Sequence, residues 1–85
     1  MKYRVRRTLS CFDNQSDKLV FEVCFEEFDL ELFQSEFDVS KDNPMYDSFP
    51  VKVENIPVIK EALPSFLNIN WNFKDYSYFV EAIEN

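Results

Sequence analysis

Eighty-five residues with a net charge of −7, no His and no Gly exclude several classes of protein at once. The length supports one domain around one core; the missing His removes the commonest general base and zinc nitrogen ligand, and the missing Gly removes the Gly-rich phosphate cradles. Lys2, Arg4, Arg6 and Arg7 place four positive charges in the first ten residues, so the other seventy-five carry −11, a poor surface for phosphate backbones and a suitable one for a basic protein.

Apolar residues make up 46% of the chain and ten are Phe, enough for a core that needs neither disulfide nor metal. No apolar run reaches the roughly 18 residues of a membrane span, and the basic N-terminus lacks the continuous hydrophobic region of a secretory signal. A cytoplasmic location is the expectation. Turns that need a positive φ must use Asn or Asp, and Asn14, Asn43, Asn55 and Asn72 are candidates.

Residues 2–12 alternate imperfectly, with Tyr3, Val5, Leu9 and Cys11 on one side and Lys2, Arg4, Arg6, Thr8 and Ser10 on the other. This is a strand with a basic outer face. Arg7 falls on the apolar side by parity, so its stem snorkels past the core or a bulge lies nearby. The polar residues 13–18 fit a hairpin to a second strand at 19–26, where Leu19, Phe21, Val23 and Phe25 alternate with Val20, Glu22, Cys24 and Glu26. That pairing would set the basic face beside Glu22 and Glu26. Cys11 and Cys24 then lie in neighbouring strands, read as two buried thiols, although a favourable register would permit a disulfide.

From Asp29 the period changes. Leu30, Phe33 and Phe37 recur at helical spacing, Asp29 is a good N-cap, and the helix should end near Asp38 or Val39. Residues 40–50 form the main loop, punctuated by Asn43-Pro44 and Phe49-Pro50, with Met45, Tyr46 and Phe49 either anchored on the core or offered to a partner. Asn55 reads as the cap of a second helix that has Pro57 in its first turn, an incomplete apolar stripe through Ile56, Ile59, Lys60 and Leu63, and Pro64 as its stop. Residues 67–73 read as a strand with Leu67, Ile69, Trp71 and Phe73 on one face and three Asn on the other. For residues 76–84 spacing favours a helix and aromatic content a strand; we expect the helix. The expected fold is a single α+β domain over residues 1–85, a small antiparallel sheet of about three strands packed against two or three helices.

Asp13 with Asp17, and Asp38 with Asp42 and Asp47, lack the ordered spacing of a calcium loop, so no metal site and no cofactor are expected. Glu26-Glu27 is an ordinary solvated strand end rather than an acid–base pair. Catalysis is not expected, and a binding role remains. Carboxylates on a firm strand or helix can pair with Arg or Lys in a target, and a neighbouring aromatic supplies the desolvated anchor that charge alone lacks. The candidate partner-binding residues are Glu26, Glu27, Phe28, Glu31, Glu36, Asp42, Tyr46 and Asp47, with Phe49 a further aromatic.

The runs KLVFEV, FDLELFQSEFDVS, DNPMYDSFPV and KDYSYFVEAI resemble a small bacterial domain family of unknown biochemical function. Asp42, Pro44, Met45, Tyr46, Asp47 and Pro50 carry the most specific part, followed by Tyr76, Tyr78 and Phe79; Lys52 and Pro57 depart from the pattern. The resemblance implies a protein like the immunity partners of polymorphic or contact-dependent growth-inhibition toxins; the acidic surface adds a basic cognate toxin domain, a nuclease in the leading case, as the expected target. It implies no catalytic residues. The alternative is a regulatory or structural interaction module without a toxin, and a small carboxylate enzyme ranks third.

Overall fold

β1 (Val5–Asp13) runs through the interior of a four-stranded antiparallel sheet, between β2 (Leu19–Cys24) and β4 (Tyr76–Glu84), with the two-residue β3 (Phe49–Pro50) on the far side of β4. The computed structural model describes residues 5–65 and 67–84, so Lys2, Tyr3 and Arg4 of the expected first strand lie outside the described residues. Two helices, α1 (Leu30–Glu36) and α2 (Ile56–Ala62), complete the α+β fold, which has four strands rather than about three. Leu9 lies opposite Val80 and Cys11 opposite Tyr78, so these four share one face of the sheet. They form a single buried cluster with Phe33 of α1, Ile59 of α2 and the loop residue Met45, which places both helices on that face.

The β1–β2 hairpin forms as its polar link suggests. Asp13 N–H donates to Lys18 O at 2.9 Å, the Asp13 carboxylate accepts from Ser16, and Asp17 takes a φ of 60°. The register then slips: Cys11 faces Phe21 but Phe12 faces Leu19, leaving Val20 without an opposite residue. One extra residue inverts the facing of what precedes it. Leu19, expected in the core, is therefore 51% exposed and Val20 50% exposed. Beyond the bulge Phe21 and Val23 pack on the core edge and Phe25 is buried, as their alternation requires.

The outer face of β1 is less polar in practice than in pattern. Thr8 and Ser10 are fully buried, their hydroxyl oxygens 3.3 Å apart, because these short side chains lie between the longer Glu22, Cys24, Phe79 and Glu81 of the flanking strands. Glu22 lies opposite Ser10, and Arg6 Nη1 approaches Cys24 Sγ at 3.8 Å, so the expected Arg–Glu cross-strand pairing gives way to these neighbours. Glu26 lies past the end of β2.

Residues 67–73 are not a strand, and residues 76–84 are one, the reverse of the expectation for each. Tyr76–Glu84 pairs with β1 along its whole length and with β3 on its other edge, and the gain of two ladders outweighs a helical spacing that one face alone would satisfy. The alternation at 67–73 has another cause. Leu67, Ile69, Trp71 and Phe73 pack as irregular backbone against the core, with Trp71 and Phe73 4.8 and 5.1 Å from the Tyr78 ring. Asn72 ends the segment, its Oδ1 accepting from the N–H groups of Lys74 and Asp75.

α1 is capped as predicted, Asp29 Oδ1 accepting from Leu32 N–H at 3.2 Å, and it ends slightly early, at Glu36, before Asp38 at a φ of 55°. Asp17 and Asp38 thus do the work that Gly would do elsewhere, and none of the four candidate Asn does. Asn55 stands at the N-cap position of α2, but its side chain makes no capping bond there. Its own backbone is helical, a 3₁₀ turn (Val53–Asn55) precedes the helix, and its buried side chain accepts from Lys52 N–H and donates to Glu36 Oε2 at 2.9 Å, tying the two helices together. Pro57 in the first turn and Pro64 past the end act as expected.

Cys11 is buried beside Tyr78, Cys24 is exposed, and both are free thiols. Burial pushes the Cys11 thiol above its ordinary 9.0, with the Tyr78 hydrogen bond opposing, and burial likewise pushes the Tyr78 phenol above 10.0. Folded values above unfolded ones mean a stabilising contribution fully present below the unfolded pKa and lost as pH rises through the folded one. Thermal melts should therefore be unaffected by these two groups up to about pH 8 and fall beyond pH 9, and Cys11→Ala should remove the earlier part of that fall. In the native chain Cys24 should react with iodoacetamide and Cys11 only after unfolding; equal reactivity would contradict the assignment.

Candidate functional site

The anomaly at Arg7 resolves into a clamp. β1 parity turns its side chain to the helix face, where Nη1 donates to Met45 O at 2.5 Å and Nη2 to Pro44 O at 2.9 Å. The guanidinium carbon lies 4.4 Å from the centre of the Phe28 ring and 5.3 Å from that of Tyr46. A half-buried cation is thereby satisfied by two carbonyls and two aromatic rings rather than by a carboxylate. Burial lowers its pKa, with Tyr46 acting in the opposite direction, and a guanidinium remains charged at any ordinary pH.

Arg7 and Gln34 together hold the main loop. Gln34 Nε2, on α1, donates to Lys41 O and to Asn43 O at 2.7 Å, and Asn43 Oδ1 accepts the Met45 N–H at 2.8 Å. Met45 carries a φ of 56°, a conformation that costs an ordinary side chain about 1–2 kcal/mol, and its side chain is 1% exposed. The loop is anchored at Met45 and at Phe49, which enters β3, while Tyr46 stays half exposed.

The eight candidate binding residues do not form one patch. Glu26 and Glu27 follow β2 on the rim of a groove between the start of α1 and the end of α2. Phe28 is stacked on Phe33 at 4.5 Å as well as on Arg7, so it is largely a packing residue, and Tyr46 is the second ring against the same cation. Glu31 borders a separate hollow with Leu30, Gln34 and Lys41. Glu36 is engaged by Asn55, while Asp42 and Asp47 are exposed on the loop.

The groove itself, about 460 Å³, includes residues that periodicity did not mark. Asp29 and Glu61 join Glu26 and Glu27 on its rim, and Leu32, Val58, Ala62 and Leu63 lie within it. Asp29 reads in the sequence as a helix cap and one of the acids outside the apolar positions, while Glu61 carries no signal of its own; no linear pattern joins residues more than thirty apart on different elements. Among the described residues no basic side chain lines this groove, and no three Cys, Asp or Glu converge closely enough to hold a metal ion.

Residues 6–81 match the family described as a domain of unknown function, DUF7683, and the chain belongs to that family. No curated protein and no solved structure matches it. No helix among the described residues is long and apolar enough to cross a membrane.

Arg7→Met keeps the aliphatic stem and removes both carbonyl bonds, and should lower the urea-unfolding free energy by about 2–4 kcal/mol while accelerating amide exchange at Met45. Arg7→Lys should recover only part of the loss, because an ammonium lacks the planar fork. Stability unchanged in Arg7→Met would contradict the clamp.

Proposed function

We propose that this protein is an immunity protein that binds a cognate bacterial toxin domain in the cytoplasm and neutralises it without catalysis, the toxin being a nuclease whose basic substrate groove it occludes. The observation that carries this reading is that Glu26, Glu27, Asp29, Glu31, Asp42 and Asp47 all stay exposed on a chain of net charge −7. Basic groups that receive phosphates in a nuclease would receive these carboxylates instead, and opposite net charge would speed the encounter. The resemblance of the 42–50 loop and of Tyr76, Tyr78 and Phe79 to a small bacterial family of unknown biochemical function, whose members resemble immunity proteins, adds support. A non-toxin interaction module would use the same electrostatics and differs only in the partner it retains.

Co-expression with a toxin domain encoded beside the gene should give a co-purifying complex and loss of nuclease activity. Glu27→Lys and Glu31→Lys together should slow association by about tenfold at low ionic strength, with the difference shrinking as salt is added. No complex and full toxin activity at micromolar protein would overturn the proposal.

A further inference from the structure

We infer that the groove between α1 and α2 is a docking site for a basic protein segment that inserts an aliphatic side chain between flanking Arg or Lys residues. The inference rests on the reading of this chain as a binder of a basic protein, and it specifies where and how that partner is held. Leu32 is 42% exposed within the groove, and Val58, Ala62 and Leu63 are apolar residues that line it with Leu32. Glu26, Glu27, Asp29 and Glu61 line the same groove. Four carboxylates line the groove and, among the described residues, no basic side chain does, so a cationic partner would meet uncompensated negative charge there.

The carboxylates are spread around the groove and do not converge on a point, so they suit several separated charges better than one ion. An apolar centre inside a charged rim is the usual anatomy of a protein contact, in which the buried side chain supplies affinity and the rim supplies orientation. The volume, about 460 Å³, falls in the range of a pocket that takes one or two side chains. The rim is also held firmly. Glu26 and Glu27 follow the buried Phe25, Asp29 caps α1 through Leu32 N–H, and Glu61 lies between the buried Ile59 and Leu63. Little backbone ordering would be needed on binding.

The test uses the ¹⁵N-labelled full chain and three synthetic nine-residue peptides: one with Leu at the centre of four Arg and four Lys, one with Ser in place of Leu, and one with Glu in place of every basic residue. The Leu peptide should shift resonances of Leu32, Val58, Glu61 and Ala62, leaving the outer sheet face around Phe12 and Phe79 unmoved. The Ser peptide should bind about tenfold more weakly and the Glu peptide not at all. Glu27→Lys with Glu61→Lys, both at exposed positions, should weaken the Leu peptide by at least about tenfold. Equal binding of the Leu and Ser peptides, shifts spread over the whole acidic surface, or no binding of the Leu peptide would overturn the groove assignment. Toxin neutralisation that survives the double charge reversal would overturn the groove alone, whereas peptide binding with no toxin complex would overturn only the toxin reading.

Discussion

The guanidinium of Arg7, packed against the Phe28 and Tyr46 rings and bonded to the carbonyls of Pro44 and Met45, is the contact that fixes the path of the main loop against the sheet. Placing a cation on the apolar face of an interior strand is costly unless its donors are met, and here the carbonyls of a loop nearly forty residues away meet them. In return, the loop acquires a fixed path. Met45 is held at positive φ with its side chain in the core, Gln34 secures the approach from α1, and Phe49 and Pro50 are delivered to the edge of β4. Removal of the cation would release the sheet, α1 and the loop from one another at a single point.

Hydrophobic pattern made much of this visible in advance. Periods of two and of three to four located β1, β2 and α1, and Asp29 and Pro57 marked helix starts correctly. The failures have specific causes. A bulge at Val20 inverted Leu19, an event set by hairpin geometry rather than by side-chain pattern. The alternating Leu67, Ile69, Trp71 and Phe73 met an aromatic cluster without a strand partner, while Tyr76–Glu84 acquired two partners. Both outcomes are tertiary. Arg7 was visible as a parity violation, though its remote carbonyl partners were not.

The acidic character follows the same division. Composition announced a negative surface, and local pattern marked Glu26, Glu27 and Glu31 as facing away from the core. Folding then separated them. Glu36 became a structural acceptor for Asn55, Glu31 turned to another hollow, and Glu26 and Glu27 joined Asp29 and Glu61 around an exposed leucine. Charge alone steers a partner without fixing where it sits. The apolar residues beneath part of that charge give one region of the surface the means to hold as well as attract, and the buried Phe25, Ile59 and Leu63 with the Asp29 cap support that region.

The central claim is that Arg7 fixes the main loop to the sheet, and nuclear magnetic resonance of its guanidinium tests it most directly. Bonds to two carbonyls and packing against two rings predict resolved, slowly exchanging Nη protons with resonances displaced by the aromatic ring currents. A single averaged Nη signal at the position of a free arginine would contradict the account.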